Sequence, residues 1–89
     1  LRELLLIKVA APAEKRSEII EIKDVYKAKI VDLSPESLVL EITGDTNKLD
    51  GFIGVLKPYG ILEMARTGVT ALARGDKKLK DLLDYNEMI

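Results

Sequence analysis

The run "ELLLIKV", Glu3 to Val9, is apolar at both parities. In an extended chain Leu5, Ile7 and Val9 fall on one side and Leu4 and Leu6 on the other. The run is short and is followed by "AAPAEK" with its proline, so it predicts a strand covered on both faces for much of its length. Any fold for this chain must lay helices or other chains on both sides of that strand.

The following segments supply helices in alternation. Over Pro12 to Tyr26, Ile19, Ile22 and Tyr26 recur at helical spacing, with Glu14, Lys15, Glu18 and Glu21 left for water. Pro12 suits a first helical turn, where its missing N–H is no loss, and Tyr26 is expected to pack at the core or its rim. "AKIVDLS" and "SLVLEIT", joined around Ser34-Pro35-Glu36, predict a hairpin in which Leu38, Leu40 and Ile42 alternate with Val39, Glu41 and Thr43. Asp45 or Thr46 is placed to cap a second helix by accepting a backbone N–H. Leu49, Phe52, Ile53 and Leu56 give it an apolar stripe at i, i+3, i+4 and i+7, and Pro58 and Gly60 end it. Gly51 and Gly54 lie inside this helix, each costing roughly 1 kcal/mol relative to alanine. They mark either close approach of another backbone or drift in a helix held by its stripe. "ILEMART", Ile61 to Thr67, predicts the last strand, broken by Gly68. "VTALARG" reads as a short helical turn or an extra edge segment, and Leu79, Leu82 and Leu83 give the remaining tail an amphipathic face.

The order strand, helix, strand, strand, helix, strand consists of two interleaved crossover units, each right-handed. It predicts an α+β fold, the ferredoxin-like βαββαβ: a four-stranded antiparallel sheet with two helices on one face, plus a short C-terminal helix. The expected division is a domain over 1–75 and a tail helix over 76–89. Leu5, Ile7, Val9, Leu38, Leu40 and Ile42 are expected on the helix side. Leu4, Leu6, Val39 and one alternate set among Leu62 and Met64 fall opposite. A sheet with one wet face alternates cleanly, so the second face is expected to be covered by a second copy or by another protein.

Composition narrows the chemistry. Among 89 residues there is no cysteine and no histidine, which removes disulfides, thiol chemistry, the commonest general base and the commonest metal ligand. Asp24, Asp32 and Asp45 are scattered, and Asp45, Asp50 and Glu41 lack a calcium-loop pattern. The net charge of −1, with signs interspersed, argues against a nucleic-acid module. Lys77, Lys78 and Lys80 alternate with Asp76, Asp81 and Asp84, which reads as a solvated face. Gly68 and Gly75 lack the lysine and hydroxyl of a phosphate loop, and the sole phenylalanine lies on a helix stripe, away from any base-stacking sheet surface. No apolar segment reaches the ~18 residues of a membrane span, and no signal peptide is visible. The chain starts at Leu1 inside an apolar run, as a piece of something longer would.

Arg66 is the polar residue of most interest. It alternates with Leu62 and Met64, so all three are expected on one sheet side near the strand end. Its planar fork suits a carboxylate or a run of carbonyls. It is either a surface arginine with its stem over apolar neighbours or an anchor in a protein contact. With Tyr59, which closes the helix, and Thr67 and Gly68, which leave the sheet, it makes the candidate partner interface.

"RELLLIKV", "AKIVDLS", "SLVLEITGD" and, above all, "LKPYGILEMARTGVTALARG" resemble the C-terminal half of the regulatory small subunit of acetolactate synthase, also called acetohydroxyacid synthase. The resemblance runs from Arg2 to Gly75 and stops short of the tail. It implies a ferredoxin-like domain that, in the family, follows an N-terminal ACT domain binding valine at a dimer interface. It also implies no catalysis and no cofactor in this chain, a cytoplasmic location, and a homodimer or higher oligomer. The implied partner is a large catalytic subunit that condenses pyruvate with a second 2-oxoacid using thiamine diphosphate, magnesium and FAD. The small subunit would raise its activity and confer sensitivity to branched-chain amino acids. No valine-binding residue is carried over, because the ACT half has no counterpart here. The alternative from another class is a stand-alone small-molecule sensor of the same fold; an enzyme is disfavoured for want of an acid–base pair.

Overall fold

The computed structural model describes residues 2–68. The elements are β1 (Glu3–Ala10), α1 (Ala13–Tyr26), β2 (Lys29–Ser34), β3 (Ser37–Gly44), α2 (Thr46–Leu56), a 3-10 turn (Lys57–Tyr59) and β4 (Ile61–Arg66). Four antiparallel strands form one sheet in the order β2-β3-β1-β4. β1 and β2 run the same way with β3 between them, and β3 and β4 run the same way with β1 between them. These are the interleaved units of the ferredoxin-like fold. The segment "VTALARG" and the helix expected over 76–89 lie outside the described residues.

Strand parity fixes the core. Leu5, Ile7 and Val9 of β1 stand opposite Ile42, Leu40 and Leu38 of β3, and residues directly opposite share a face. All six are buried, and the apolar stripes of both helices close over them with Ile19, Leu49, Phe52 and Leu56. Ile53 is only half-buried, at the margin of its stripe. Tyr26 packs its ring on Phe52, centroids 5.1 Å apart and planes tilted by 52°. That contact also explains Gly51. A Cβ there would stand 3.2 Å from the Tyr26 hydroxyl oxygen, so the glycine admits a side chain of α1 and not a second backbone. A Cβ on Gly54 would meet nothing within 4 Å.

The helix ends depart slightly from expectation. Pro12 sits just outside α1 as its N-cap, extended at ψ 159°. α1 ends at Lys27 in the left-handed region, φ 62°. The Lys27 and Ala28 N–H groups there donate to the Asp24 and Lys23 carbonyls at 3.2 and 2.9 Å. This is the hydrogen-bond pattern that glycine normally completes, and no glycine marks it. Asp45 caps α2 by accepting the Lys48 N–H at 2.8 Å, while Thr46 turns its hydroxyl elsewhere. Gly60, at φ 106°, makes the turn into β4, where its carbonyl accepts the Ala10 N–H at 2.8 Å.

Both edge strands carry a bulge. On β4, Glu63 pairs with Lys8 and Ile61 with Val9, so Leu62 is the extra residue. On β2, Val31 is skipped in the same way. Bulges blunt an edge against unwanted strand addition. The bulge at Leu62 also corrects the expected face of β4. Ile61, Met64 and Arg66 stand over Val9, Ile7 and Leu5 on the helix side, and Leu62 does not share their register. The second face therefore gains neither Met64 nor an in-register Leu62.

Two substitutions test the backbone account by urea denaturation. Lys27→Gly removes a left-handed strain of roughly 1–2 kcal/mol, partly offset by glycine's chain entropy, and should stabilise by about 1 kcal/mol. Gly54→Ala should add about 0.5–1 kcal/mol. A loss of stability in either variant contradicts the account.

Candidate interaction site

The exit of β4 is built on an internal ion pair. Glu3 has the same parity as Leu5, Ile7 and Val9, so β1 delivers a carboxylate to the apolar side of the sheet, where Glu3 is 6% exposed. Arg66, opposite Leu5 on the same side, meets it with two bonds. Its Nε donates to Glu3 Oε1 at 3.2 Å and its Nη2 to Oε2 at 2.8 Å. The remaining Nη1 donates to Asp50 Oδ1 of α2 at 2.8 Å, and the Thr46 hydroxyl donates to Glu3 Oε2 at 2.8 Å. One guanidinium thus ties the start of β1, the end of β4 and the first half of α2. The hydrogen bonds from Arg66 chiefly, and that from Thr46 as well, hold the Glu3 carboxyl below its ordinary value against the opposing effect of burial. The same bond to Glu3 raises Arg66 further above its already basic range.

Beyond Arg66 the chain keeps one more rung of the ladder. The Thr67 N–H donates to the Leu4 carbonyl at 3.0 Å, and the Leu4 N–H donates to Thr67 Oγ1 at 3.0 Å. Thr67 is buried. Gly68 follows at φ 81°, a left-handed conformation that suits glycine. Arg66 and Thr67 are therefore tied into the domain, and the polar handle anticipated at Arg66 already donates to Glu3 and Asp50.

Tyr59 lies at the opposite end of β4, roughly 20 Å away by the rise of the intervening strand. The four candidate residues do not converge on one site. The Tyr59 hydroxyl donates to Glu18 Oε1 at 2.8 Å. That bond, with burial and the charges of Glu18 and Glu21, raises the tyrosine above its ordinary value. Tyr59 belongs instead to an open groove of about 410 Å³ between α1 and α2, lined by Glu18, Glu21, Ile22, Val25, Tyr26, Val55 and Tyr59.

The sheet face away from the helices carries Leu4, Leu6, Lys8 and Ala10 of β1 beside Thr43, Glu41, Val39 and Ser37 of β3. Leu4 is buried, Leu6 and Val39 are half-buried, and Ala65 of β4 is buried opposite Leu6. The Lys8 and Glu63 side chains pair across the strands at 3.5 Å. This face is an apolar centre with charged flanks. A shallow groove of about 180 Å³ runs over it, lined by Leu6, Ile7, Lys8, Val39 and Glu63.

Among the described residues no group of three or more His, Cys, Asp or Glu could hold a metal ion. Asp45 caps a helix and Asp50 pairs with Arg66. No described helix is long and apolar enough to cross a membrane. Sequence reasoning overlooked Glu3, although the signal was present: an acid in step with three buried side chains needs a partner. It also overlooked Val25 and Val55, which lie outside both apolar stripes.

Known proteins add an independent line. The family described as the small subunit of acetolactate synthase matches residues 2–75. A protein of Archaeoglobus fulgidus named as a probable acetolactate synthase small subunit is 52% identical over 77 residues, 86% of this chain and 48% of its own length. The acetolactate synthase small subunit of Bacillus subtilis is 49% identical over 77 residues, 86% of this chain and 45% of its own length. The crystal structure of the small subunit from Thermotoga maritima superposes with a TM-score of 0.70 at 40% identity, covering 75% of this chain and 41% of that one. The chain spans about half the length of the curated relatives it matches.

The ion pair gives a stability and pH test. Arg66→Ala leaves Glu3 charged and buried, and should cost about 2–4 kcal/mol. Because the folded Glu3 value is lowered, its contribution is complete above the ordinary value of 4.5 and lost as pH falls through the lower folded value. Glu3→Gln should therefore be less stable than the parent at pH 7, with the gap narrowing in acid. Thermal melts across that pH range check this; a constant gap contradicts it.

Proposed function

The chain belongs to the acetolactate synthase small-subunit family, as its C-terminal domain, and from that premise we propose that it is a regulatory and assembly domain with no chemistry of its own. It associates with the catalytic large subunit in the cytoplasm and raises that subunit's activity. Thiamine diphosphate, magnesium and FAD sit on the large subunit and not here. Valine sensing belongs to an ACT domain outside this chain. The domain also self-associates, as a homodimer or higher oligomer.

The observation that carries this reading is the second sheet face. Leu6 and Val39 stay half-exposed at the centre of a sheet whose two described helices both lie on the other side. An apolar centre with a charged rim is the anatomy of a protein contact. In this reading Thr67 and Gly68 guide the chain out of the sheet toward the partner, Arg66 fixes their position from inside, and Tyr59 marks a separate contact on the helix layer. A small-molecule sensor would need several polar groups converging in a concave pocket. The groove over the second face is bordered instead by a lysine and a glutamate already paired with each other.

Co-purification of this chain with a cognate large subunit tests the proposal, with activity assayed with and without valine. Association or partial activation is expected, with no valine response conferred. Failure to associate, or valine inhibition arising from this chain alone, contradicts it.

A further inference from the structure

We propose that the groove between α1 and α2 docks a helical segment of the catalytic subunit that presents apolar anchors and at least one lysine or arginine. The inference rests on the reading above and names a second contact surface for it, on the layer opposite the sheet face. Much of the lining is apolar and exposed. Val25 and Val55, from the two helices, are 77% and 40% exposed, and Ile22 lies beside them. The rim is acidic. Glu18 and Glu21 line the groove, and among the described residues no basic side chain does.

The two carboxylates differ in what they already hold. Glu18 accepts the Tyr59 hydroxyl and lies 3.6 Å from Lys15. Glu21 has no hydrogen bond or ion pair among the described residues. An occupant that covers the valines therefore closes over an uncompensated negative charge. A neutral or acidic occupant would strand that charge, whereas a cation would pair with it. The backbone around the groove is helical and offers no free ladder for strand addition. Recognition then falls to side chains at i, i+3 and i+4, the helix-in-groove mode. A second copy meeting this groove about a two-fold axis would bring two acidic rims together, which like-charge repulsion disfavours.

The test uses the full-length small subunit with a photo-crosslinking benzoylphenylalanine at position 25, mixed with the catalytic subunit. The trapped peptide is then sequenced. The expected product is a catalytic-subunit segment with apolar residues at helical spacing and a flanking lysine or arginine. Glu21 is exposed and has no ion pair among the described residues, so Glu21→Lys should fold normally while weakening subunit association by about three- to ten-fold and reducing its salt dependence. If the subunits still co-purify but position 25 traps nothing, a second copy or an uncharged or acidic segment, the docking proposal is overturned and the regulatory reading stands. Unaltered affinity of Glu21→Lys also overturns it. If the unmodified subunits do not associate at all, both fall together.

Discussion

The alternation of β1 sets the rest of the structure. Its odd-numbered side chains, from Glu3 to Val9, must all face the helices once Leu5, Ile7 and Val9 are buried there. A one-residue slip would turn every one of them outward. That constraint selects Leu38, Leu40 and Ile42 as partners and brings the stripe of α2 down over them. It also forces a carboxylate into the apolar layer at Glu3, and the fold answers with Arg66. A charge so placed is tolerable only when paired and hydrogen-bonded, and the guanidinium does both while reaching Asp50 of α2. Core packing and the internal ion pair are thus consequences of one register.

The same alternation leaves the even-numbered side chains facing away. Leu4 and Leu6 cannot join the helix-side core, whatever the helices do. With Val39 and Ala65 they form an apolar centre on the second face. The groove between the helices carries a similar unspent apolar surface in Val25 and Val55. A small domain has little core to spare. Apolar residues held outside it on both layers leave the domain with surface that a covering partner would bury.

Element order, the core of β1 and β3, the α2 stripe and the packing of Tyr26 were all readable from periodicity, because period 2 and period 3.6 each bury one definable set of side chains. The face of β4 was not. Alternation alone grouped Leu62 with Met64 and Arg66, and a bulge at Leu62 breaks that count. A bulge depends on how two strands twist against each other, which no single run of residues encodes. The left-handed Lys27 escaped for a related reason: the cap is set by hydrogen bonds back to Lys23 and Asp24, not by a glycine. Arg66 stood out as chemically special, and within the domain it binds Glu3 on the neighbouring strand and Asp50 of α2. Tyr59 and Arg66, grouped in one candidate interface, stand at opposite ends of β4.

The central claim is that the apolar side chains of the second sheet face exist to be covered. Hydroxyl-radical footprinting of the small subunit, free and bound to the catalytic subunit, reads that exposure side chain by side chain. The account predicts that oxidation of Leu6 and Val39 falls on binding while exposed Leu33 on the β2 edge is unchanged. Equal oxidation of Leu6 and Val39 in the free and bound states would contradict it.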